Sequence, residues 1–146
     1  MLGLMMEQSL LISGLISHAA KYHKTTEIVS RESDRSVHRT SYQAVEHRSR
    51  CVAQALARLG IRQGERVASL AWNTHRHLEL YYGVSGSGAV LHTVNPRLFP
   101  AQIAFMINHA EDRILFTEAM FLPLVDALLP QLKTIEHVVV LADPPA

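Results

Sequence analysis

Cysteine is all but missing from this chain: Cys51 is the single one, so no internal disulfide can form. Its helical-pattern neighbours Val52, Ala55 and Leu56 predict a small, half-buried structural thiol rather than a nucleophile. Lysine is nearly as scarce. Of the 14 basic residues only Lys21, Lys24 and Lys133 are lysines, and the arginines are scattered, with Arg48 and Arg50 the nearest to a cluster. A formal charge of +1 and no positive stripe argue against a nucleic-acid-binding face. Long apolar runs are missing too. No stretch approaches the roughly 18 residues of a membrane span. Met1 to Met6 is apolar but lacks the basic flank of a signal peptide, and Glu7 and Gln8 interrupt it. No transmembrane segment and a cytoplasmic, reducing location are therefore expected.

Several catalytic signatures are absent as well. No G-x-x-x-x-G-K-[ST] phosphate loop occurs. Ser85 follows Gly83 at the spacing of a nucleophile elbow, but Ser87 stands where the second glycine is needed. Gly83, Gly86 and Gly88 run in the order G-x-x-G-x-G at the end of a helix, whereas a dinucleotide fingerprint reads G-x-G-x-x-G between strand and helix. These glycines are expected to allow close helix–sheet packing, with Gly88 ending the helix. Nine histidines suggest a metal, yet His75 and His77 stand two apart on a predicted helix and face different ways. His109-Ala110-Glu111-Asp112 puts acids beside an imidazole, and a surface turn explains that as well as catalysis does.

Hydrophobic periodicity sets the fold class. Leu11, Leu15, Ala19 and Tyr22, widened by Ile12 and Ile16, predict a first helix from Gln8 to His23. Glu27–Arg31 and Ser36–Arg39 read as a hairpin around Ser33-Asp34. Thr40-Ser41-Tyr42-Gln43 has the form of a capping box, with Thr40 as N-cap, before a helix carrying Val45, Val52, Leu56 and Leu59. Gly60 supplies that helix's left-handed stop, and Ile61 folds back on its last turn. A regular beat follows. The strand Val67–Trp72 leads through a helix N-capped by Asn73 and carrying Leu78, Tyr81, Tyr82 and Val84 to the strand Ala89–Val94. Pro100 opens a helix with Ile103, Ile107 and Ala110 inside, then comes the strand Arg113–Thr117. A helix with Leu124, Val125, Leu128 and Leu132 precedes the strand His137–Leu141. The strands start 22 to 24 residues apart with a helix between each pair. That spacing predicts an α/β fold, a Rossmann-like, doubly wound, mostly parallel sheet built from βα repeats. Asp143-Pro144-Pro145-Ala146 continues neither element and reads as a linker.

Read as text, the chain resembles the N-terminal region of the acyl-adenylate-forming superfamily, and within it the medium- and long-chain fatty-acyl-CoA synthetases. Thr40-Ser41-Tyr42 is similar to the superfamily's first core motif, and Gly86 to Leu98 to its second. Trp72 to Glu79 and Ile107 to Arg113 are more specific to the synthetases. The resemblance covers nearly the whole chain. It implies that residues 1–146 are the N-terminal segment of a larger adenylation domain, with the ATP-phosphate loop and a small C-terminal domain outside it. It implies a ligase that joins a fatty acid to CoA through an acyl-AMP, using ATP, Mg²⁺ and CoA, and a homodimer. The family's catalytic motifs have no counterpart here, so no catalytic, cofactor-binding or metal-binding residue is assigned. The segment alone is expected to be an inactive scaffold. A free-standing binding or oligomerisation module of the same half-fold is the alternative.

Overall fold

The computed structural model describes Gly3, Glu7 and residues 9–142. The proposed linker at 143–146 and most of the apolar opening lie outside the described residues. The first helix, α1, spans Ile12–Tyr22, shorter than its pattern suggested. Its inner face also differs. Ile16 is its one buried residue, while Leu15 and Tyr22 stay 65% and 61% exposed. Among the described residues, contact with the neighbouring helices covers the Ser13–Ile16 side and leaves the wider apolar stripe exposed.

Strands β1 (Glu27–Arg31) and β2 (Val37–Ser41) pair antiparallel, Glu27 opposite Ser41. Asp34 accepts a bond from the Ser36 N–H at 2.8 Å, and Arg35 takes the left-handed φ of 72° that closes the turn. Helix α2 (Tyr42–Arg58) starts one residue later than the capping-box reading required. Its N-cap is Ser41, whose hydroxyl accepts from the Ala44 N–H, because the ladder runs on through Ser41 and the chain turns helical only at Tyr42. At the other end the reading holds: Gly60 has φ +77°, and the Ile61 N–H reaches the Leu56 carbonyl at 3.0 Å. Cys51 lies on the outer face of α2 and is exposed, not half-buried, because Val45, Ser49 and Leu56 define the inner one.

The second sheet is parallel throughout: β3 (Arg66–Leu70), β4 (Val90–Thr93), β5 (Ile114–Glu118) and β6 (His137–Leu141) lie in the order β4-β3-β5-β6. The chain steps from β3 outward to β4 through α3 (His75–Gly86), and recrosses to β5 through α4 (Pro100–Ala110). It then continues outward to β6 through α5 (Leu122–Leu128), which short 3₁₀ turns flank. Side-chain alternation divides the core in two. Val67, Ile114 and Phe116 pack with Leu56, Leu80 and Val84 on one face. Ala68, Leu70 and Leu115 pack with Ile103, Ile107, Val125 and Leu128 on the other. A parallel sheet needs both faces covered, and here both are.

The glycines of the small-residue run do not serve the helix–sheet contact expected of them, although Gly88 does end the helix. Gly83 serves a helix–helix contact instead of a helix–sheet one: a Cβ there would stand 2.6 Å from Val52 Cβ and 2.8 Å from the Ser49 carbonyl oxygen of α2. Gly88 sits at φ +83° just past α3, the backbone state that ends the helix.

Candidate functional site at the sheet's switch point

The strand order reverses between β3 and β5, and open α/β sheets take ligands outside the carboxyl ends of the strands at such a point. Thr117 pins the two strand ends together, donating from its hydroxyl to the Leu70 carbonyl at 3.1 Å. Beyond them the chain turns through Ala71 and Trp72 into α3. That helix is N-capped at Thr74 and not at Asn73, and the Thr74 hydroxyl makes no capping bond.

The hairpin reaches across this end of the sheet. Glu118, buried at the end of β5, accepts from the Ser33 hydroxyl at 2.7 Å and from the Trp72 N–H at 3.1 Å. Glu32 accepts from His75 Nδ1–H at 2.9 Å, from Arg76 at 2.7 Å and from the Ser30 hydroxyl at 3.1 Å. The His38 ring stacks on His75 with centroids 3.6 Å apart. A crevice of about 230 Å³ remains, lined by Glu32, Asp34, Arg76 and Glu118 among others. Burial pushes the Glu32 carboxyl up, but the bonds from His75 and Ser30 and the charges of His75 and Arg76 outweigh it, leaving it below the usual range. Asp34 is held low by its bonds to Ser36. A crevice with ionised carboxylates in excess of cations repels phosphate.

His75 and His77 do face different ways, as their spacing implied. His75 turns to the hairpin, whereas His77 turns under α3, its Nε2 at 2.9 Å from the Ser69 hydroxyl of β3. Burial lowers the His77 pKa, against the opposing Glu118 charge and a Trp72 backbone bond. On the same helix the buried Glu79 pairs with Arg48 at 2.6 Å. Among the described residues, no group of three or more His, Cys, Asp and Glu side chains could hold a metal ion.

The His109–Asp112 stretch is only partly a surface turn. His109 stacks on Phe105, and Glu111 takes φ 54° and pairs with Arg66 at 2.6 Å. Asp112, however, is wholly buried and bonds to His92 Nδ1 of β4 at 2.7 Å, with its second oxygen unpartnered. Burial raises its pKa against the opposing His92 bond and the His92 and Arg66 charges. The sequence reading missed this pair and the Glu32–His75–His38 group, since the contacts in them join residues 20 to 43 apart. The one available signal was a histidine inside the apolar run Ala89–Val94.

The family model described as "AMP-binding enzyme" matches residues 16–146. The 3-methylmercaptopropionyl-CoA ligase of Ruegeria lacuscaerulensis is 53% identical over 97% of this chain and 26% of its own length. The medium-chain-fatty-acid–CoA ligase of Ectopseudomonas oleovorans is 45% identical, again over 97% and 26%. The long-chain-fatty-acid–CoA ligase of Thermus thermophilus is 46% identical over 94% of this chain and 25% of its own. The chain thus spans about a quarter of the length of the curated relatives it matches. Its fold is that of the N-terminal domain of FACL13 from Mycobacterium tuberculosis, with a TM-score of 0.81 at 24% identity over 94% of this chain and 38% of that one. No described helix is long and apolar enough to cross a membrane. By the family model and by these relatives, the chain belongs to the AMP-binding enzyme family.

Proposed function

We propose that residues 1–146 are the N-terminal segment of the adenylation domain of an AMP-forming acid–CoA ligase, and that the segment serves as scaffold. The observation that carries this is the continuous similarity to three CoA ligases over nearly all of this chain and only a quarter of theirs. The reaction has two steps. A substrate carboxylate oxygen attacks the α-phosphate of ATP, forming the acyl–phosphate bond as the bond to pyrophosphate breaks. The CoA thiolate then attacks the acyl carbon, AMP leaves, and the thiol proton passes to solvent.

The residues present do not fit the magnesium ion that accompanies ATP. Glu32 and Glu118 are committed to internal donors, and the ionised carboxylates of the crevice they line repel the ATP phosphates that carry the ion. Groups that bind ATP, magnesium and CoA belong, in this reading, to the remainder of a longer protein, and no catalytic residue is assigned here. The chain's part is to build the half-sheet against which that remainder packs.

A fatty acid is the substrate in this reading. The 53% identity to a 3-methylmercaptopropionyl-CoA ligase favours a second, shorter thioether acid on the same grounds. Homodimerisation and a cytoplasmic location are part of the proposal. They rest on the exposed apolar faces of α1 and α4 and on a solvent-exposed free thiol that suits a reducing compartment. Pyrophosphate–ATP exchange with dodecanoate tests the scaffold role. The isolated chain is expected to exchange no faster than a protein-free control, and exchange above it in a preparation free of host synthetase contradicts the role.

A further inference from the structure

The β1–β2 hairpin is attached to the body in an unusual way. None of its residues is fully buried, and neither hydrophobic core includes one. A lone two-stranded hairpin is marginal in water, so its position depends on what docks it. Here that is mainly a polar cluster. From the hairpin come Ser30, Glu32, Ser33 and His38, from α3 His75 and Arg76, and from β5 Glu118. The Ser30 hydroxyl also accepts from the His75 N–H at 3.3 Å, closing a ring of bonds among Ser30, Glu32 and His75.

We propose that the β1–β2 hairpin is an acid-released cover over the switch-point crevice, held by the stacked imidazoles of His38 and His75 and by Glu32. The buried His75 ring is the sensitive part. Neutral, it stacks on His38 with centroids 3.6 Å apart, but an imidazolium there lies beside the Arg76 cation, and Glu32 is shared with Arg76 and cannot neutralise both. Burial is the largest influence on His75 and lowers its pKa. The Glu32 bond and charge oppose it, and the His38 and Arg76 charges add to it. The sign follows. A docked His75 takes up a proton less readily than a free imidazole of pKa near 6.5, so acid favours the undocked hairpin. Docking is fully present above about pH 6.5 and weakens as pH falls below it. Glu32 is held below its ordinary range and stays ionised in that window, so His75 is the group that responds. Release frees Glu118 from Ser33 and opens the carboxyl ends of β3 and β5 to solvent.

Amide exchange of the 146-residue chain, corrected for intrinsic rates, at pH 7.5 and 5.5 tests this. Residues 27–41 should lose at least about tenfold in protection at pH 5.5 while β3 and β5 keep theirs. In His75→Asn, which keeps an N–H donor for Glu32 without the buried imidazole, most of that loss should vanish. The proposal is overturned if wild-type hairpin protection is unchanged, or if it falls in step with β3 and β5. It is equally overturned if His75→Asn shows the full loss. Should that variant not fold, the wild-type comparison decides alone.

Discussion

Asp112 shows what a single residue can demand of its surroundings. A wholly buried carboxyl with one oxygen unpartnered depends on its one bond, to His92 Nδ1 at 2.7 Å. His92→Ala leaves it without that partner, and breaking such a buried pair costs about 3–5 kcal/mol. The loss should depend on pH in a stated direction. With its folded-state pKa raised, Asp112 binds a proton more tightly folded than unfolded. The penalty is therefore least in acid and grows as pH rises above the ordinary carboxylate range through the raised value. His92→Ala should melt well below wild type at pH 7 and close part of that gap at pH 5. Adding Asp112→Asn should recover stability at pH 7, and a double variant no better than the single would refute the assignment. The pair was not legible in the sequence. A turn-forming acid after a helix looks solvated unless the parallel register that lays β4 beside β3 is known, and spacing does not encode that register.

At the scale of elements, the sequence was most legible where local chemistry decides the geometry. Gly60 and Ile61 end α2 as their pattern implied, and Pro100 opens α4. The start of α2 was misplaced by one residue because Thr40 and Ser41 are both competent caps. The hairpin ladder decides between them, since it runs past Thr40 to Ser41, opposite Glu27, and the helix begins only at Tyr42. Ser41→Ala should accordingly lower stability by about 1 kcal/mol through loss of the bond to the Ala44 N–H. Thr40→Ala should cost less, and thermal melts of the two variants give the order directly. The α1 stripe failed for a different reason. Leu11, Leu15 and Tyr22 have the spacing of a buried face, but amphipathicity records only that a face is apolar, and among the described residues nothing buries it. Gly83 lies between these cases: its small size was read correctly, but its partner proved to be α2 instead of the sheet.

At the scale of the molecule, the alternation of strands and helices made the parallel, doubly wound sheet readable before any contact was known. Near-continuous apolar strands 22 to 24 residues apart admit few other architectures. The candidate site was far less legible, because the bonds that tie the hairpin to α3 and β5 join residues more than 40 apart in sequence. Exposed apolar side chains on α1 (Leu11, Ile12, Leu15, Tyr22) and around α4 (Phe99, Phe105) exceed the scattered apolar exposure of an ordinary monomer. The isolated chain should therefore self-associate or bind a hydrophobic dye at low micromolar concentration. A light-scattering mass of one chain with no dye binding would favour a self-contained module instead.

The claim that this chain is the scaffold segment of an acid–CoA ligase is tested most directly by putting it into one. The matching first quarter of the Thermus thermophilus long-chain-fatty-acid–CoA ligase, 46% identical, can be replaced by this chain and acyl-CoA formation measured. The account predicts a folded chimera that makes the thioester within about tenfold of the parent rate, since only scaffold is exchanged and its packing positions are of the same kind. A chimera that folds with the parent's secondary structure and binds ATP as the parent does, yet forms no acyl-CoA, would contradict it.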